Sequence, residues 1–255
     1  MINGSSPSQT LLFVHAHPDD EALLTAGTMA RASAEGHQVH LLVVTDGAAG
    51  LTSTEFSDNL GSTRKSELEK SAQALGVSSV TTWEVPDSGL NAEVPTGFAH
   101  RNIDEYAHKL EALMNELGVT VLIGYDPSGG YGHPDHLAVH RMVREAHKRY
   151  TRSCSLFEAT LPREPIAGTV TLAARLRLTP SEFDPQEFAQ AWTPRSRITH
   201  RVNVRPYLDA KRNSIRAHAS QANADNTVRT LAVLSALPRP LFGALLGTEY
   251  FVKVV

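Results

Sequence analysis

Two short runs hold most of the side chains able to do chemistry: His15-Ala16-His17-Pro18-Asp19-Asp20-Glu21 and Gly129-Gly130-Tyr131-Gly132-His133-Pro134-Asp135-His136. Pro18 fixes the backbone after His17, and consecutive carboxylates in a tight turn point in different directions. One of Asp19 and Asp20 can therefore bind a cation while the other stays free. A hydrolytic zinc site takes three protein ligands and keeps one position open. His17, Asp20 and His136 supply three ligands of suitable type. Asp19 is then the general base, accepting a proton as water attacks a carbonyl. His133 is expected beside the open position as a cation or proton carrier, with Asp135 orienting its ring. His133 or the phenol of Tyr131 would donate to the developing oxyanion.

Each run also has a plainer explanation. Asp-Asp-Glu after a strand commonly caps a helix, because acidic groups suit its first turn. His-Pro-Asp-His on its own is commonly a turn. What favours a metal is the pair of runs together, each following a strand and each carrying ligand types. A two-metal phosphoesterase would need bridging carboxylates, and the ligands suffice for one metal only. His15 is read as a satisfied core histidine rather than a ligand.

The elements must bring these runs together. Leu11 to Val14 reads as a strand, Glu21 to Ala34 as a helix, and Gln38 to Thr45 as a buried strand. Helical spacing recurs over Arg64 to Leu75, Ile103 to Leu117, Leu137 to Tyr150 and Tyr207 to Ala219. Strands are expected at Val80 to Val85, Val119 to Gly124, Val202 to Val204 and Tyr250 to Val255. Ser153 to Thr171 has strand character broken by Pro162 and Pro165, and Pro180 to Pro194 reads as a loop with a short helix. Such alternation predicts an α/β fold, a mostly parallel sheet covered by helices on both faces, with ligands beyond the carboxyl ends of the strands.

The 255 residues, 41% hydrophobic and 20% charged, suit one soluble globular domain (1–255), elaborated around residues 160–205. A formal charge of -3 gives no basic footprint for nucleic acid or an anionic membrane. Cys154 is the sole cysteine, which excludes an intrachain disulfide and a cysteine metal site; it is expected to be a buried small hydrophobe. No signal-like or membrane-spanning run is evident, so cytoplasmic residence is the default expectation. A homo-oligomer is left open.

The two runs together resemble the LmbE-like, or PIG-L, deacetylases, and the resemblance extends over most of the chain. Arg64-Lys65-Ser66-Glu67, Ala74-Leu75-Gly76-Val77, Asp87-Ser88-Gly89-Leu90 and Gly247-Thr248-Glu249-Tyr250-Phe251 fall in the family's order. The resemblance implies a Rossmann-like sheet, one zinc at His17, Asp20 and His136, with Fe2+ or another divalent metal an alternative, and a base at Asp19. It implies removal of the acetyl group from an N-acetylglucosamine conjugate. The alternatives are amide cleavage of a mycothiol-like conjugate or a non-catalytic, metal-containing sugar binder. By the same resemblance Arg64 and Asp87 contact the substrate, and Gly-Gly-Tyr-Gly-His is similar to the mycothiol-pathway deacetylases, where Tyr131 would assist the oxyanion. The chain departs from the family where Thr45-Asp46-Gly47 is followed by Ala48 and Ala49 instead of a Glu. Ala217-His218-Ala219-Ser220-Gln221 resembles a family helix, with no role carried over for His218 or Gln221.

Overall fold

A computed structural model describes residues 8–48, 60–175, 190–218 and 230–255. Seven strands form one sheet: β1 (Thr10–His15), β2 (Gln38–Thr45), β3 (Ser79–Val85), β4 (Val121–Tyr125), β5 (Ser155–Thr160), β6 (His200–Asn203) and β7 (Thr248–Lys253). Their spatial order is β3-β2-β1-β4-β5-β7-β6. The first five are parallel, while β7 runs antiparallel to β5 and β6 antiparallel to β7.

The apolar runs of β1 and β2 are buried on both faces, and side chains two apart share a face. Leu12, Val14, Leu42 and Val44 enter one core with Leu110 and Met114 of α4 (Ile103–Leu117) and with Val139 and Met142 of α6 (Pro134–Arg149), which follows the single turn α5 (Gly129–Gly132). Phe13, Leu41 and Val43 enter the opposite core with Met29 of α2 (Ala26–Ala34) and Leu68 of α3 (Leu60–Leu75). Helix α8 (Leu208–Ala217) packs over α2 and α3. The three-layer α/β expectation is met.

The strand order reverses between β1 and β4, which places a topological switch point there, where ligands bind in open α/β sheets. The two chemistry-bearing runs follow those two strands.

Several local expectations change. The helix expected over Glu21 to Ala34 is two, α1 (Asp20–Leu24) and α2, separated at Thr25, whose φ of -136 leaves the helical region. Helix α6 begins at Pro134, not Leu137, because proline is pre-set for a first helical position and His133 caps the turn. His136 therefore stands on a rigid helix rather than in a loop. Beyond β5 the chain forms helix α7 (Arg163–Arg175) where broken strand was expected; Pro165 sits in its first turn, which tolerates proline. Two C-terminal helices, α9 (Thr230–Ala236) and α10 (Arg239–Leu246), form where the sequence pattern predicts no element. Cys154 is partly rather than fully buried. Residues 180–189 and Gln221 lie outside the described residues.

Candidate metal centre and active site

The chain leaves β1 at His15 and turns through Ala16-His17-Pro18 into α1. Three donor atoms meet beside this turn. His17 Nδ1 lies 3.2 Å from His136 Nε2 and 3.3 Å from Asp20 Oδ2, and His136 Nε2 lies 3.3 Å from the same oxygen. A cation held tetrahedrally at about 2.0 Å needs donors about 3.3 Å apart, so the triangle has a suitable edge.

The far side of each ring fixes which nitrogen is left to face a cation. His136 Nδ1 lies 3.2 Å from the Gly129 carbonyl and donates to it, so Nε2 presents its lone pair. His17 Nε2 donates to Asp135 Oδ2 at 3.2 Å, with Asp87 Oδ1 at 3.5 Å, which leaves Nδ1 facing the triangle. Burial opposes charge on His17, yet Asp135, Asp20 and Asp87 hold its pKa well above the ordinary value. With three carboxylates around one imidazole, the pocket has a surplus of negative charge and suits a cation.

Among the described residues, two other groupings bring ligand atoms within 4.8 Å of one another, His17 with His133 and His136, and His17 with Asp87 and Asp135. The second is the weaker candidate, because Asp135 already accepts from Ser88 N at 2.9 Å, Ser88 Oγ at 2.5 Å and Ala99 N at 3.0 Å. Asp135 thus orients His17, not His133 as the sequence suggested; only its backbone N–H reaches His133, at Nδ1. His133 is also neutral rather than cationic, since burial, helped by His17 and His136, pushes it down to about 4. With Nδ1 accepting, its proton sits on Nε2.

Asp19 occupies the N-cap position of α1 but makes no side-chain capping bond, so the helix-cap explanation does not account for its carboxylate. Its backbone is at φ 130, ψ -24, a region side chains rarely adopt. Burial pushes the carboxyl up to about 6, with Asp20 adding to the rise and Arg64 opposing it. Arg64 is itself buried. Its guanidinium packs so tightly on Gly47 that a Cβ there would lie 2.4 Å from Nη1.

Tyr131 is 45% exposed, its ring 6.0 Å from that of His133 and 5.3 Å from that of His136, so it stands at the mouth of the site. It rides on the turn Gly129–Gly132, where Gly130 has φ 68 and an added Cβ would strike the Trp192 ring at 2.7 Å. Asp126 holds this turn, accepting from Gly130 N at 3.0 Å and from Thr160 Oγ1 at 2.5 Å.

Sequence reasoning missed Tyr125. Its hydroxyl donates to Asp20 Oδ2 at 2.5 Å and accepts from Ala16 N at 2.9 Å, while its ring stacks on His136 at 4.3 Å. The available signal was its place as the last residue of β4, directly across the switch point from β1. His15 is a satisfied core residue as expected, bonded to Thr25 Oγ1 at 2.8 Å.

A mostly parallel α/β sheet with a His and Asp donor cluster at its switch point has its candidate metal site where such folds bind ligands, at the carboxyl edge of the sheet. The model of the PIG-L family, described as GlcNAc-PI de-N-acetylase, matches residues 12–147. A relative from Saccharomonospora viridis, 1D-myo-inositol 2-acetamido-2-deoxy-alpha-D-glucopyranoside deacetylase, is 36% identical and covers 95% of this chain and 94% of its own. The N,N'-diacetylchitobiose deacetylase structure from Pyrococcus horikoshii aligns with a TM-score of 0.66 at 17% identity, over 97% of this chain and 84% of that one. The 4-carboxy-2-hydroxymuconate hydratase of Pseudomonas putida KT2440 aligns with a TM-score of 0.63 at 15% identity, over 97% and 96%. These two structures share the fold, and the hydratase shows that this fold serves more than one reaction. The chain belongs to the PIG-L family, with the curated relative a deacetylase matched over nearly its whole length.

Proposed function

We propose that this protein is a divalent-metal deacetylase of an N-acetylglucosaminyl conjugate, with an inositol-linked sugar the leading substrate. The observation that carries this reading is the donor triangle of His17, Asp20 and His136 beside an Asp19 carboxylate that makes no capping bond to α1. The inositol-linked substrate is carried over from the relative. Zinc is the metal we favour for two imidazoles and one carboxylate.

A cation in the triangle would polarise the acetamide carbonyl and acidify an attacking water. Asp19, when ionised, takes the proton from that water as the new C–O bond forms. The neutral His133 donates from Nε2 to the carbonyl oxygen as negative charge develops there, and the Tyr131 phenol is the second donor. Asp19 then passes its proton to the sugar nitrogen as the C–N bond breaks, so acetate and a free amine leave. Arg64 counters the effect of burial on Asp19 and helps keep it ionised. Asp87 bonds Gly89 N at 2.9 Å and forms a wall of the site beside His17.

The test is release of free amine from a panel of N-acetylglucosaminides, including the inositol-linked one and a mycothiol-type amide, with metal content measured on the same sample. Asp19→Asn should lower kcat by about 10²- to 10⁴-fold, with metal content unchanged. A folded, metal-loaded protein that released amine from no member of the panel would sink the proposal. Preference for the mycothiol-type amide would instead move the scissile bond to that conjugate.

A further inference from the structure

Asp19 sits in an unusual backbone region, at φ 130 and ψ -24, and something must hold it there. Such outliers persist only where their surroundings over-determine them. Among the described residues its N–H has one acceptor, Glu21 Oε2 at 3.0 Å. Glu21 is 0% exposed, and its other oxygen is also engaged: Oε1 accepts from Ser71 Oγ of α3 at 2.6 Å and lies 2.6 Å from His218 Nε2, just beyond α8. Ser71 Oγ is in turn 2.7 Å from Ser214 Oγ of α8. A carboxylate buried this deeply needs such partners. If Glu21 served only to fill the core, an apolar side chain would do so without the desolvation cost.

We propose that Glu21, anchored by His218 and Ser71, is a positioning residue. It receives the strained Asp19 N–H and so locks the Asp19 carboxylate beside the donor triangle, tying the reactive turn to α3 and α8. This rests on Asp19 being the base. Glu21 touches neither substrate nor metal in this scheme, and it acts through the backbone of its neighbour.

The test compares Glu21→Gln, which keeps an acceptor for the Asp19 N–H, with Glu21→Met, of similar length but with no acceptor. His218→Leu removes the anchor and leaves Glu21 in place, and Asp19→Asn is the control. For each metal-loaded protein, kcat and KM on the inositol-linked N-acetylglucosaminide, metal content and the amide hydrogen-exchange rate of residue 19 are measured. Glu21→Met is expected to lose about 100-fold in kcat, as a displaced catalytic group does, with KM and metal content unchanged and fast exchange at Asp19. Glu21→Gln should keep kcat within about tenfold and exchange slowly, and His218→Leu should fall between them. A purely structural Glu21 would lower the melting temperature without separating kcat from KM. Wild-type kcat in Glu21→Met overturns the proposal; if that variant does not fold, unchanged kcat and exchange in His218→Leu overturns it. Full activity of Asp19→Asn would instead overturn the assignment of the base.

Discussion

At the residue scale, the chemistry depends on which atom of each ring faces inward. His17 and His136 are each pinned by an acceptor behind them, Asp135 and the Gly129 carbonyl, so that the nitrogens left for a cation meet at the triangle, where a bound metal would displace the second proton of His17. Tyr125 does the same for Asp20, holding the oxygen that completes the set. Groups in this outer ring typically change metal affinity by about 10- to 100-fold when removed. Tyr125→Phe is therefore expected to weaken metal binding by about that factor in a chelator competition, with the ring stack on His136 retained and the metal-free protein destabilised by about 1–3 kcal/mol, because the buried Ala16 N–H loses its acceptor. An unchanged affinity would make Tyr125 a packing residue. Asp19, pushed up to about 6, must be ionised to act. A cation in the triangle would lower it from that raised value, so the acid limb of kcat/KM should fall at or below about pH 6. A limb well above pH 7 would assign the limiting proton to another group.

At the element scale, the site stands where helices begin. Helix α6 starts at Pro134, so His136 lies within its first turn and is positioned by a rigid element. Helix α2 is anchored from across the sheet: Glu249 of β7 accepts from Gly27 N at 2.8 Å and Thr28 N at 2.7 Å, and Lys211 Nζ of α8 meets it at 2.5 Å. Both members of this pair are buried. Breaking a buried pair leaves a charge uncompensated, so Glu249→Leu should cost about 3–5 kcal/mol in denaturant unfolding, and the added Lys211→Met should recover much of it. Equal losses in the single and double variants would show that the helix cap, not the charge pair, is what matters.

At the scale of the whole molecule, one buried group outside the site links stability to pH. Glu158 of β5 is 5% exposed, and burial pushes its carboxyl up to about 7 against the opposing pull of Arg144. Unfolded, it would titrate near about 4.3. Between these values the native state binds more protons, so stability falls as pH rises through this window. Glu158→Gln should match the wild type near pH 4.5 and exceed it by roughly 1–3 kcal/mol at pH 8, measured by urea unfolding. The same difference at both pH values would mean that Glu158 does not carry the effect.

Much of this molecule was legible in the order of its residues. Alternating apolar runs and amphipathic stretches marked a parallel α/β sheet, because strand and helix periods differ and both need a buried face. Ligand types at the ends of two strands marked the cluster, because a parallel sheet brings the carboxyl ends of its strands to one edge. What only the tertiary structure decided is pairing across the chain. Asp135 looked free to orient its neighbour His133, yet it turns to His17, 118 positions away in sequence. Tyr125 and His218 looked idle because their partners, Asp20 and Glu21, come from another strand-to-helix turn. Local pattern follows the covalent chain and can be read along it. The direction of a buried polar side chain follows whichever donor or acceptor the fold places opposite it, and that becomes defined only when distant segments meet.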